Sequence, residues 1–304
     1  VVWGPGANYD AWADLGLTGW NATVLEPFFQ MATERLRTHI PPLDEAAPFQ
    51  QASLATALAL GYGSTPTLAS FDATSGFSMA PVNISNGIRW NTALAYLDPV
   101  RNAPNLRVLG DLLVDRVIVH GTTVVGVEAI GPDGPVRFEA DRVILCAGAY
   151  GTPPILQRSG IGDAEQLKSL GIETTHHLPG VGKNLRDHPS VKLEFAGTDK
   201  ARTVLVEFEA AGGRPAEEGV IGLAASSRCE EAFDLHIYPV SLKKDDEWTY
   251  HLPAAVVAPR STWLVTITDR DPAAPPLIDH AYLTDPEGYD LDAQPGMTVE
   301  QAAA

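Results

Sequence analysis

Arg142-Val-Ile-Leu-Cys-Ala-Gly-Ala149, then Thr152-Pro-Pro-Ile-Leu-Gln-Arg-Ser-Gly-Ile-Gly162 and Val181-Gly-Lys-Asn-Leu-Arg-Asp-His-Pro189, form the most ordered stretch of this chain. Residues 142–147 are a continuous apolar run, the pattern expected of a strand buried on both faces of a parallel or mixed sheet. The run closes on Ala147-Gly148-Ala149. Small residues at the carboxyl end of such a strand let a ligand approach the backbone, and open α/β sheets bind ligands along that edge. Asp163 with Gln166 three positions later predicts the start of a short helix, and Gly171 its end.

Upstream, residues 106–109, 112–120, 124–130 and 136–139 are short β-branched runs separated by Gly110, His120-Gly121 and Gly131-Pro-Asp-Gly134. They predict an antiparallel meander, with Asp-Gly supplying positive φ at the sharpest turn. Three helices are predicted before it. The first is capped at Asn21 or Thr23, carries Pro27 near its first turn, lines up Leu25, Phe28, Phe29, Ala32 and Leu36, and stops at Pro41-Pro42. Asp44 caps a second that closes at Gly61, and 88–97 is a third. Downstream, Val191-Lys-Leu-Glu-Phe195 alternates. Further strands are expected at 203–207, 234–240, 254–257 and 263–268, all in one antiparallel sheet with an exposed face.

The 304 residues are 45% hydrophobic and 19% charged, a globular composition with room for two domains or one large one. Against 38 acidic residues stand 21 basic ones, and the net charge of −17 repels phosphate backbones and anionic lipid. A general nucleic-acid or membrane-surface role is therefore not expected. Cys146 and Cys229 are the only cysteines, too few for a disulfide framework or a cysteine-based zinc site. Cys146 reads as a small core residue, and the reduced-cysteine pattern points to a cytoplasmic location. No run approaches the roughly 20 apolar residues that span a bilayer, and Val1-Val2-Trp3 does not open a signal peptide. Asn21-Ala-Thr23 and Asn83-Ile-Ser85 match the glycosylation triplet, a pattern too common to carry weight.

The string Gly148-Ala-Tyr-Gly-Thr-Pro-Pro-Ile-Leu-Gln-Arg-Ser-Gly-Ile-Gly162 resembles the second signature of the glucose-methanol-choline (GMC) family of FAD-dependent oxidoreductases. Gly180-Val-Gly-Lys-Asn-Leu-Arg-Asp-His188 is similar to its usual continuation. Asn8-Tyr-Asp-Ala-Trp12 with Gly19-Trp20, residues 89–97, and Pro259-Arg-Ser261 with Asp271-Pro-Ala-Ala-Pro-Pro-Leu-Ile-Asp279 and Tyr282-Leu283 resemble other family segments, in family order. The resemblance implies a mixed α/β fold: the second half of a FAD-binding domain with its meander, plus an antiparallel-sheet substrate domain. It implies the division 1–104 helical linking segments, 105–189 FAD-binding half, 190–283 substrate-domain sheet and 284–304 tail. It also implies FAD as cofactor and a small-molecule alcohol as substrate, with a histidine base taking the hydroxyl proton as hydride passes to flavin N5. Val114 would lay its backbone against the adenine, and Ala147 and Gly148 would lie beside the adenosine half.

The departures are as specific. Gly-x-Gly-x-x-Gly, the family's pyrophosphate loop, is absent; Gly4-Pro-Gly6, Gly61-Tyr-Gly63, Gly160-Ile-Gly162 and Gly180-Val-Gly182 each lack the third glycine and read as turns. His280 stands where the family usually has proline, so it does not inherit the base's role. His188 matches a position that is structural or close to the cofactor in the family, not the base, and no catalytic residue is assigned. His176-His177 lacks metal-ligand spacing, so no metal is expected. Gly76-Phe-Ser-Met-Ala80 misses the nucleophile-elbow pattern by its last glycine, and Trp3, Trp12, Trp20 and Trp90 read as core. The expectation is a fragment of a GMC enzyme that alone neither holds FAD tightly nor oxidises alcohols, completed by a chain that brings the missing loop. The other reading is a non-catalytic partner subunit or inactive remnant of such a flavoprotein.

Overall fold

The computed structural model describes residues 3–65, 70–215, 219–230, 232–245 and 247–290. They fall into two compact units, one built from Val1–Leu106 and His188–Ala258, the other from Arg107–Asp187 and Pro259–Asp290. The fold is mixed α/β, with an antiparallel sheet in the first unit and the expected meander in the second.

The first unit is organised by a sheet in the order Gly76–Met79, Val220–Ala224, Leu235–Ile237, Glu247–Val256, Ser190–Ala196, with Val240–Lys244 also paired to Glu247–Val256. Successive side chains of a strand point to opposite faces. Val220 accordingly packs with Ala46, Ala57, Phe77 and Met79, whereas Ile221 and Leu223 pack with Ala73 and Phe233. Phe77 stands opposite Gly222, where any Cβ would overlap the phenylalanine ring.

The helix Ala22–Arg35 starts as expected, with Asn21 Oδ1 accepting from Val24 N at 2.9 Å. Its apolar stripe is not core: none of its residues is buried, and Phe28 is 61% exposed. Trp12 and Trp20, expected in the core, are 41% and 52% exposed. Asp44 caps no long helix; it lies in a short 3-10 turn, Leu43–Glu45. The α-helix begins at Pro48, where Gln50 Oε1 accepts from Ala47 N at 2.9 Å. Gly61 does close the helix region with φ +90°.

Two windows fold with a period other than the expected one. Residues 88–97 hold no α-helix: Ile88–Arg89 pairs with Ile84–Ser85 through Asn86-Gly87, both at positive φ, and a π-helical turn, Ala93–Leu97, follows. Asn-Gly is the strongest short hairpin signal, and here it outweighs the helical spacing of the apolar residues around it. Residues 203–207 are not a strand but the middle of the helix Asp199–Ala210, capped by Thr198 Oγ1 accepting from Ala201 N. β-branched Thr203, Val204 and Val206 suggested a strand, yet Leu205 is buried against Ala47, Trp248 and Tyr250, with Ala201 and Phe208 on the same stripe. Tertiary burial outweighs propensities of a few tenths of a kcal/mol per residue.

In the second unit, Leu113–His120, Thr123–Gly131 and Gly134–Glu139 form the antiparallel meander. Residues 106–109 join no strand, and Val108 and Leu109 are exposed. The helix Gly148–Arg158 packs on the first meander strand: Val117 N donates to Ser159 Oγ at 2.9 Å, and Arg158 Nε donates to both Asp115 O and Asp115 Oδ1 at 2.9 Å. A short helix, Ala164–Ser169, follows, with Asp163 Oδ1 accepting from Glu165 N and Gln166 N and Gly171 at φ +68° beyond its end.

The strand Trp263–Thr266 was expected in the same sheet as 191–195. It instead pairs with Leu277–Asp279 and Lys183–Leu185 inside the second unit. Gln157, 3% exposed, binds this return segment as a strand would: its Oε1 accepts from Ile267 N at 2.9 Å and its Nε2 donates to Val265 O at 3.3 Å. Ser261, Asp285 and Asp290 close the segment on itself, Asp290 accepting from Arg260 N and Ser261 N at 2.7 and 2.9 Å.

The run 142–147 departs furthest from expectation. It is not a strand buried on two faces but a segment without regular structure, paired to nothing among the described residues, with Ile144 76% exposed and Cys146 exposed rather than core. An apolar run records what a strand needs on its flanks; it cannot provide the neighbouring strands.

Candidate cofactor-binding site

Ala147 and Gly148 sit where the apolar run turns into the Gly148–Arg158 helix. Gly148 has φ +77°, a conformation open to glycine at no steric cost, and a Cβ built there would meet no atom within 4 Å. Ala147 carries no capping side chain, so the first N–H groups of the helix have no side-chain partner. The residues 147–150 are exposed. The turn thus offers bare backbone to whatever approaches it.

Val114 lies on the first meander strand, which is the edge of its three-stranded sheet. The ladder to Thr123–Gly131 shifts register between Val114 and Arg116, so Asp115 is bulged out of the pairing. Bulges re-aim backbone and side chains at sheet edges. Here Asp115 turns both its carbonyl and its carboxylate to Arg158, and Arg158 Nη2 reaches Val114 O at 3.5 Å. Arg158 ends the helix that Gly148 begins. Val114 is therefore tied to the same helix as Ala147 and Gly148, through its other end.

The local residues fit the adenosine half of a dinucleotide cofactor on one count, an open glycine turn at the start of a helix whose far end is bonded to an edge strand. They offer no third glycine for a pyrophosphate: Gly160 is closed by Glu173 O and the Thr175 backbone, and Gly182 by Val265 O and Gln157. Sequence reasoning missed Arg158 and Gln157, the two buried polar side chains that fix this helix. Their partners lie 43 and 110 residues away in sequence, beyond any local pattern.

The histidines divide cleanly. His176 and His177 form a two-residue parallel pairing with Ile161 and Gly162, and His177 Nδ1 accepts from Ala164 N at 3.2 Å. Among the described residues, no three His, Cys, Asp or Glu side chains are grouped to hold a metal ion. His188 belongs to the first unit and is exposed; beside it, burial first and the charge of His188 second push the His236 imidazole down to about 4. Among the described residues, no helix is long and apolar enough to cross a membrane.

Comparison with known proteins agrees with this architecture. Mouse (Mus musculus) mitochondrial choline dehydrogenase is 37% identical over 208 residues, covering 64% of this chain and 35% of that protein. Glucose dehydrogenase (FAD, quinone) of Drosophila pseudoobscura pseudoobscura is 30% identical over 321 residues, covering 91% of this chain and 51% of its own length. The chain thus spans between a third and a half of these relatives. Pyridoxine 4-oxidase from Mesorbium loti superposes with a TM-score of 0.81 over 96% of this chain and 61% of its own, at 23% identity, a likeness of fold. The family model described as GMC oxidoreductase matches residues 1–190, well over half of the 304, and the chain belongs to that family.

Proposed function

We propose that the chain forms part of a FAD-dependent oxidoreductase acting on the CH–OH group of an alcohol. The observation that carries this reading is the bare, exposed Ala147–Gly148 turn, lying within the stretch matched by the family model. Val114 would present its backbone to the adenine, and Ala147 and Gly148 would admit the adenosine half to contact. Bound FAD would supply the hydride acceptor that alcohol oxidation requires. The chain's own contribution is positional. Arg158 and Ser159 hold the helix to the edge strand, and Gln157 holds it to the return segment.

We further infer a division of labour. The sequence contains no Gly-x-Gly-x-x-Gly and offers no histidine assigned as base, so the 304-residue polypeptide alone is expected neither to retain FAD nor to oxidise alcohols. Sequence carrying that loop would complete it, and the unpaired apolar run 142–147 supports this reading, because such a run is suited to lie between neighbouring strands. The test is the absorbance spectrum of the purified polypeptide, alone and co-expressed with a polypeptide carrying a Gly-x-Gly-x-x-Gly unit. Flavin absorbance and bleaching by alcohols are expected only in the second sample. Stoichiometric flavin bleached by alcohol in the first overturns the division of labour, and a loaded complex that no alcohol bleaches overturns the alcohol reading.

A further inference from the structure

The Gly148–Arg158 helix begins with little of its own to hold it. Ala147 contributes no cap, and Gly148 and Gly151 have no side chains to pack. Pro153 and Pro154 bring no N–H, so the carbonyls of Ala149 and Tyr150 receive no bond from four residues on. Its first turn must be anchored from outside. Tyr150 makes that connection: its hydroxyl lies 2.8 Å from His280 Nε2, and the two rings meet edge to face at 5.9 Å.

His280 is held in turn. Its Nε2 is 3.6 Å from Asp187 Oδ2, the oxygen that accepts the Tyr282 hydroxyl at 2.7 Å. The Tyr282 ring stacks on the imidazole with centroids 5.0 Å apart and planes 1° from parallel. Burial first, then the hydrogen bond and charge of Asp187, push the Tyr282 phenol up to about 12, so it stays a donor at neutral pH. All four side chains belong to the second unit.

We propose that His280 is a positioning residue for nucleotide binding: by accepting from the Tyr150 hydroxyl while its ring is stacked on Tyr282, it holds the Ala147–Gly148 turn in its ligand-ready shape. The proposal rests on the cofactor-site reading above. With the ring's proton on Nδ1, Tyr150 donates to Nε2, and the ring ties the first turn of the helix to the strand ending at Asp279 and, through the stacked Tyr282 whose hydroxyl donates to Asp187, to the 183–187 segment.

The test uses ADP as the probe, added at millimolar concentration to the 304-residue polypeptide and followed by amide NMR, with hydrogen exchange at Thr152 and Ile155 measured alongside. His280→Phe keeps a ring against Tyr282 and removes the hydrogen bond to Tyr150. His280→Gln keeps a group able to accept from Tyr150. H280F and Y150F are expected to weaken ADP binding and speed exchange at the two amides by about three- to tenfold, the worth of one net hydrogen bond. H280Q is expected to stay within about twofold of wild type on both readouts. ADP binding that ignores H280F, or that H280F and H280Q weaken equally, overturns the proposal. A wild-type chain in which ADP moves no amide between 147 and 151 overturns instead the cofactor-site reading on which it rests.

Discussion

Removing the Gln157 side chain should loosen the second unit at the return segment, and the structure sets the size of the effect. Gln157 is 3% exposed, and its partners Val265 and Ile267 are 2% and 4% exposed. Truncation to alanine leaves Ile267 N–H and Val265 C=O without their side-chain partner. Each buried group so stranded costs about 1–3 kcal/mol. The space cannot readily collapse, because Gly182 beside it is pinned at φ +78° with Val265 O against it. Gln157→Ala should therefore cost about 2–6 kcal/mol from the two stranded groups, with a cavity cost on top, a large share of the 5–15 kcal/mol that holds a typical domain together. Gln157→Met separates the contributions, since it preserves most of the volume and removes both hydrogen bonds; it should keep the cost of about 2–6 kcal/mol and spare the cavity. Because the chain holds two units, the readout is local: hydrogen exchange at the Ile267 amide should rise about tenfold or more in either variant. Exchange within twofold of wild type in Gln157→Met would refute the view that this amide acts as a surrogate strand.

Two further outcomes follow from the first unit. Gly222→Ala would drive a methyl group into the Phe77 ring and should destabilise by about 1–3 kcal/mol or more by urea denaturation, with Phe77→Leu in the same chain recovering part of the loss. His236 should titrate near 4 by NMR, so as pH falls from the unfolded histidine value of 6.5 toward 4 the unfolded chain takes up its proton first. Stability is then lost across that window, and His188→Ala should raise the His236 value toward normal while leaving the larger effect of burial in place.

How much of this was legible in the chain depends on how local the signal is. Asp163, Gly171, Asn21 and Gly61 each act within one helical turn, and each stands where its residue type predicts. The meander was legible because its turns and its alternating runs fall within 30 residues. Asn86-Gly87 was legible too, but was submerged in an apolar window that also fitted a helix. Residues 203–207 were misread because five residues cannot distinguish two periods, and the burial of Leu205 against Trp248 is a fact about a strand more than 40 residues away. Of the candidate site, Val114, Ala147 and Gly148 came from family resemblance, whereas the side chains that fix their backbone did not. Arg158 looked like any cation at a helix end until the Asp115 bulge was seen beneath it.

The sequence by itself determined the family, the mixed α/β class, the meander and the lack of a third glycine in any Gly-x-Gly, because ordered motifs and turn chemistry are written in neighbouring residues. Only the tertiary structure decided where Trp263–Thr266 pairs, that Gln157 bonds it, and that Tyr150 meets His280. It also decided that the apolar run 142–147 has no strand beside it among the described residues. Pairing and burial depend on groups brought together across more than 100 residues, and no local pattern of hydrophobicity encodes which of them will meet.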